Sequence, residues 1–241
     1  MPRPLFLSVL GFVLLAFVCG CGPSKLALKS DFWQTKERKI GVAVAKSPVA
    51  ATHQAGGGLL DRAIAKAAIG TLDAHFEKLN SKSFEDVAQK FAENLETQGF
   101  NVKLVEKPID LEKLPKFAPT SSGDYHERDL RMIAADEGVD ALVLLSIDRW
   151  GTTRKYYAFI PLESPKPFCV ARGELVNLRT NALEWSVEME EDQSKVDVEG
   201  EWDKPPDFPE VTKALYKAVD KAKAFLENDF FAGKSAKPMS P

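Results

Sequence analysis

Two hydrophobic periods alternate along the chain. Lys39-Ile40-Gly41-Val42-Ala43-Val44-Ala45 is a short run rich in apolar and β-branched residues, closed by Pro48. It predicts a buried strand. Val49–Gly58, ending in Gly56-Gly57-Gly58, reads as a loop. Leu60, Ile64, Ala68, Leu72, Phe76 and Leu79 then recur at helical spacing, so one helix face is apolar. Gly70 inside it weakens that helix by about 1 kcal/mol relative to Ala. Ser83-Phe84-Glu85-Asp86 resembles a capping box, followed by Phe84, Val87, Ala88, Phe91 and Leu95 on one face and Gly99 at the C′ position.

Asn101–Val105 reads as a strand and Pro108–Pro119 as an irregular connection. Asp124-Tyr125-His126-Glu127 is expected to cap a third helix, with Leu130 and Ile133 inward and Gly138 at its end. Val139–Ile147 is almost continuously apolar, the pattern of a central strand covered on both faces. Thr152–Ile160, ended by Pro161, and Phe168–Leu178 are further strands. Arg179–Ala182 is a turn, since Asn181 tolerates the left-handed region. Leu183, Trp185, Val187 and Met189 alternate with polar residues, as in a half-buried antiparallel strand. Glu190–Pro206 is acidic and turn-rich. Val211, Leu215, Val219, Ala222 and Leu226 mark a long final helix, with Lys213, Lys217 and Lys221 opposite.

The expected order is β-α-α-β-α-β-β-β-β-α. It is an α/β (α+β) fold, a mixed sheet with helices packed on it. Residues 39–232 form one domain, and residues 233–241, lacking apolar periodicity, form a disordered tail.

The amino terminus has a different pattern. Arg3 precedes Leu5–Val18, an apolar run of 14 residues. A membrane span needs roughly 17–25, so residues 1–20 read as a signal peptide. Val18-Cys19-Gly20-Cys21 resembles the bacterial lipobox, with Cys21 as the acylated (palmitate-bearing) cysteine. Cys19 cannot serve, because Val18 would then occupy the small-residue position before it. Residues 21–38 become a lipidated tether. Gly22-Pro23 lacks the Asp of inner-membrane retention, which favours the outer membrane.

Composition changes this picture only slightly. The 241 residues carry 32 Lys+Arg against 35 Asp+Glu, a formal charge of −3, which argues against a nucleic-acid partner. The 44% hydrophobic share excludes wholesale disorder. Of 3 Cys, Cys19 leaves with the signal and Cys21 is acylated, so Cys169 alone remains and no internal disulfide can form. Between Phe168 and Val170, Cys169 reads as a small core residue.

Two stretches carry a family resemblance. Gly138-Val139-Asp140-Ala141 through Ile147-Asp148-Arg149-Trp150-Gly151-Thr152 resembles the core strand of small bacterial surface lipoproteins, and Glu174–Trp185 resembles their hairpin. These proteins are similar in fold to the TolB amino-terminal domain, the CsgG-type curli secretion subunits and the lipoprotein activators of penicillin-binding proteins. The resemblance covers about residues 39–229 and implies a fold and a cell-envelope location, with no reaction. The usual Asp-x-x-Thr-Gly turn is here Asn177-Leu178-Arg179-Thr180-Asn181. A CsgG-like pore needs strands of roughly 9–11 residues with an apolar lipid face. Neither Val49–Gly58 nor Gln193–Asp203 supplies one.

Chemistry-bearing motifs are sparse. His53, His75 and His126 have no metal-ligand spacing, so no metal and no cofactor are expected. Gly56-Gly57-Gly58 lacks the Lys-Ser/Thr of a phosphate loop. Trp150, Tyr156, Tyr157 and Phe159 are the candidate partner contacts, and Val49–Leu60 is a second interaction candidate. The expectation is a non-enzymatic outer-membrane lipoprotein on the periplasmic face, a binding or assembly accessory with an envelope protein partner and possible self-association. An envelope hydrolase using the His126 region and a subunit of a CsgG-like secretion assembly are the alternatives.

Overall fold

A computed structural model describes residues 25–55, 71–157 and 160–235. The signal segment, Cys21, Gly56–Gly58, Gly70 and Phe159 lie outside them.

The strands are β1 (Lys39–Val44), β2 (Ala51–Ala55), β3 (Asn101–Leu104), β4 (Ala141–Tyr157), β5 (Ile160–Pro161), β6 (Lys166–Asn177) and β7 (Leu183–Glu188). The helices are α1 (Lys82–Thr97), α2 (Arg131–Glu137), α3 (Glu191–Ser194) and α4 (Pro209–Phe231), with residues 71–76 also helical. The main sheet runs β3-β1-β4-β6-β7. β1 is parallel to β3 and β4, while β6 is antiparallel to β4 and β7. This is the mixed α/β sheet that the alternation of strand and helix patterns implies.

Alternate residues of the central strand enter two separate cores. Val143 and Leu145 of β4 join Phe84, Val87 and Phe91 of α1 and Leu215, Val219 and Leu226 of α4 on one face. Leu142 and Leu144 join Leu130, Ile133 and Val176 on the other. Burial on both faces explains why this strand lacks a polar alternation at its start. Gly173 of β6 leaves room for an indole: a Cβ there would lie 2.2 Å from Trp185 Cη2. Gly173→Ala is expected to cost about 1–3 kcal/mol through overpacking, read as a lower urea midpoint, and an unchanged midpoint would contradict that packing.

Several sequence expectations are corrected. Residues 141–157 form one strand with a register shift between Ile147 and Arg149, where two strands were expected. Gly151 (φ 139°) lets residues 51–55 approach this strand, since a Cβ there would sit 1.8 Å from Ala51 O. The segment expected to be a loop contains β2, paired in parallel with residues 151–155. Asp124–Glu127 does not start a helix: Tyr125 bridges Ala182, and α2 begins at Arg131. α1 begins at Lys82, so Ser83 is inside it without capping by its side chain. Glu191–Ser194 makes a helical turn within the acidic segment.

The tether is also not free where it is described. Leu26 exchanges hydrogen bonds of 2.9 and 3.0 Å with Ser186 on the outer edge of β7. Phe32 is buried, its ring 4.9 Å from Phe100 and 5.8 Å from Phe230. Lys25 pairs with Asp229. The packed domain therefore begins well before residue 39. At the other end, residues 232–235 continue α4 as a 3-10 turn, and the rest of the expected tail lies outside the described residues.

Candidate functional site

The strand order sets up a site before any side chain is considered. From β1 the chain moves to β3 on one side, then crosses to β4 on the other. α1 lies on one sheet face and α2 on the other. Such a reversal leaves a crevice at the carboxyl ends of the parallel strands. Here β1 pairing with β4 stops at Leu145, and β2 pairing resumes at Gly151. Between them residues 46–50 leave the sheet, with Pro48 O accepting a 2.8 Å hydrogen bond from Trp150 Nε1.

The gap opens as a groove of about 800 Å³, within the range of small-ligand pockets. Its floor is Ser146, Asp148 and Arg172, and its rim includes Lys46, Asp110 and Glu188. The Arg172 guanidinium bridges Asp148 (2.7 Å) and Glu188 (2.9 Å), which fixes its direction and partly neutralises it. Arg149 pairs with Glu191 at 3.0 Å, and Lys46 with Asp110 at 3.5 Å. The groove thus presents both signs of charge on a sheet-borne, cross-linked floor.

Behind that floor lies a buried ionisable pair. Glu174, two residues from Arg172 on the same face of β6, is 7% exposed and faces His126, which is 6% exposed, at 3.5 Å. His126 Nδ1 meets the Arg128 backbone, 3.0 Å from its N–H and 2.9 Å from its carbonyl oxygen, and Nε2 is the ring nitrogen toward Glu174. Asn181 holds this arrangement from the β6–β7 turn. Its left-handed backbone (φ 64°) confirms the turn expected there. Its amide donates to the His126 and Arg128 carbonyls at 3.0 Å each, and its Oδ1 accepts from Leu130 N–H at 2.9 Å.

Burial pushes the Glu174 carboxyl above the usual carboxylate range, with Asp148 and Glu188 adding to it and His126 and Arg172 opposing it. The native chain then holds this proton to higher pH than the unfolded chain does. The stability it contributes is complete below the unfolded value of about 4.3 and is lost as pH rises through the native value. The urea-unfolding free energy of wild type minus that of Glu174→Gln should fall as pH rises from acid to neutral. Carboxylates with depressed values, such as Asp129 and Asp110, act oppositely but alike in both proteins, so they cancel in the difference. A difference that does not change with pH would contradict the buried-carboxylate assignment.

The residues singled out in the sequence are distributed as follows. Trp150 is corrected: it is 1% exposed and part of the core, so its ring is not a partner contact. Tyr156 and Tyr157 lie on β4 where its backbone pairs with β5, and Phe159 lies outside the described residues. Cys21 lies outside them too. Cys169 is in the core, and burial pushes its thiol up to about 12. His53 and His75 are remote from His126; His75 Nε2 is 2.7 Å from Thr212 Oγ1 on α4. Among the described residues no cluster of His, Cys, Asp and Glu is arranged to hold a metal, and no helix is long and apolar enough to cross a membrane.

The residues that sequence reasoning missed are Asp148, Arg172, Glu174 and Glu188. Their signal was present: Ser146 and Asp148 on β4, Arg172 and Glu174 on β6 and Glu188 on β7 are polar positions in or beside largely apolar stretches. Single strands did not show that these positions share a face.

No family model and no curated protein matches the chain. Among solved structures, it is similar to a neuraminyllactose-binding hemagglutinin homologue from Helicobacter pylori, at 10% identity over 90% of this chain and 92% of that one, TM-score 0.35. It is also similar to lipoprotein GNA1162 from Neisseria meningitidis, at 13% identity over 63% and 80%, TM-score 0.24. The LpoB C-terminal domain from Salmonella enterica has 13% identity over 66% and 89%, TM-score 0.24.

Proposed function

We propose that this chain is a lipid-anchored protein of the bacterial outer membrane, facing the periplasm, that works as a non-enzymatic binding or assembly accessory for an envelope protein. The observation that carries the reading is Val18-Cys19-Gly20-Cys21 at the end of a short apolar run, with Cys21 four residues ahead of Lys25, which pairs with Asp229. Acylation would confine the domain to the membrane and raise its effective concentration for a partner. The groove at the strand crossover is the proposed contact, because its charged floor is fixed by sheet pairing and by the Arg172 bridges.

The hydrolase alternative is disfavoured by the setting of His126. Its Nδ1 is taken up by the backbone and its Nε2 by Glu174, both facing the interior. A general base must reach the proton it abstracts. The pore alternative is disfavoured by residues 51–55, which pair within the sheet, and by residues 191–194, which are helical.

A photocrosslinking residue at Glu112, on the groove rim, tests the reading in intact cells, with Glu96 on α1 as the comparison site. The expected result is one envelope protein captured from Glu112 and not from Glu96. Identical adducts from both positions, or hydrolysis of an envelope substrate by the purified protein, would overturn it.

A further inference from the structure

We infer that the strap formed by residues 25–38 sets how far the domain can stand from the membrane. Docked, it keeps the domain close to the leaflet that carries the acyl chains. The groove then meets only partners that present their contact in the layer next to that leaflet. This rests on the proposed acylation of Cys21 and adds a fixed tether length to it. Lys39, the first residue of β1, lies 18 positions after Cys21, a reach of roughly 60 Å if the whole segment were loose. Lys25 lies only four positions after Cys21, a reach of at most about 14 Å. Which of the two lengths applies depends on whether the strap stays on the domain.

The strap is held along its whole length. Lys25 pairs with Asp229, whose other oxygen accepts the Trp185 Nε1 hydrogen bond at 3.0 Å. Leu26 exchanges backbone hydrogen bonds with Ser186. Leu28 packs against the core, and Phe32 is buried in it. The Trp33 ring centroid lies 5.8 Å from those of Phe230 and Phe231 and 5.9 Å from that of Phe100. Lys36 Nζ stands 3.5 Å from the Phe100 ring centroid, and Arg38 pairs with Glu184 at 2.7 Å. These contacts reach α4, β7 and the start of β3, so the strap leaves only by giving up all of them. A domain of this size has a radius of gyration of about 17 Å. With the strap docked, its far side therefore stays within roughly 60 Å of the leaflet, against roughly 100 Å with the strap loose.

The test uses the full-length acylated protein in phospholipid vesicles, with Asn228→Cys carrying a fluorophore and nitroxide-headgroup lipids as the quencher. Asn228 is exposed and adjoins Asp229, where the strap begins its contacts. Cys169 stays unlabelled because it is buried with its thiol pushed up to about 12. Two variants are compared with this protein. One carries twelve Gly/Ser residues inserted after Pro23, which leave the domain unaltered and add about 20 Å to the tether on average. The other carries Leu26→Pro, Phe32→Ser and Trp33→Ser, which remove the hydrogen bond from Leu26 N–H and the aromatic packing of the strap. Quenching should fall at least about twofold in both, because each more than doubles the permitted separation. Unchanged quenching in the insertion variant overturns the inference, since the tether would then not set the distance. A fall in the insertion variant alone overturns it too, since the strap would then not shorten the tether. Mass analysis of Cys21 in the same samples separates the two claims: missing acyl chains count against the anchor, whereas acylated protein with unchanged quenching counts against the strap alone.

Discussion

Cys21→Ala is expected to move the protein from the membrane fraction to the soluble periplasmic fraction and to abolish incorporation of labelled fatty acid. The effect should be close to complete. Each buried methylene contributes about 0.8 kcal/mol, so losing two or three acyl chains removes far more binding than any surface contact restores. Cys19→Ala is the matched control. It leaves the small-residue position before Gly20 filled, so acylation should persist. Continued labelling of the Cys21→Ala protein would remove the anchor and the proposed function with it.

The largest loss of stability is expected from Phe230→Ala, about 3–5 kcal/mol in urea unfolding. The Phe230 ring is fully buried near the end of α4. Its centroid lies 4.8 Å from Trp185, 5.0 Å from Phe231, 5.4 Å from Phe91 and 5.8 Å from both Phe32 and Trp33. One deletion therefore opens a cavity shared by α1, α4, β7 and the amino-terminal strap. The neighbouring turn cannot collapse freely, because Asp229 accepts a 3.0 Å hydrogen bond from Trp185 Nε1. Phe231→Ala, only partly buried, should cost clearly less. Equal losses at the two positions would contradict the assignment of Phe230 as the centre of the cluster.

Elements whose burial follows a single local period were legible in the sequence. The stripe Phe84, Val87, Phe91 and Leu95 gave α1, the alternation at Leu183–Val187 gave β7, and the apolar run before Ile147 gave the centre of the sheet. Elements that depend on a distant neighbour were not. Ala51-Thr52-His53-Gln54-Ala55 has no apolar alternation, and it becomes a strand because Gly151 lets it approach β4. Leu26 and Phe32 sit in a polar stretch, and their roles arise from Ser186, Phe100 and Phe230, far along the chain. Asp124–Glu127 carried the composition of a helix start, yet Asn181, more than fifty residues away, holds the adjoining backbone extended.

The candidate site divides in the same way. The anchor is a contiguous motif and was readable. The groove floor is assembled from β4, β6 and β7, so no single window contains it. Trp150 illustrates the opposite error. An aromatic beside an expected strand break suggested a surface contact, but the strand does not break and the indole closes over Pro48.

The strap also has a mechanical consequence. Its two hydrogen bonds to Ser186 lie across the direction of β7, as in any antiparallel pair. A pull on the amino terminus acts along the strand, so both bonds are loaded in shear and must fail together. A sideways pull would open them one at a time. Beyond them the load passes to the Phe32 and Trp33 rings, and from there to the end of α4. Tension between the amino terminus and whatever the domain grips therefore meets a shear latch backed by aromatic packing.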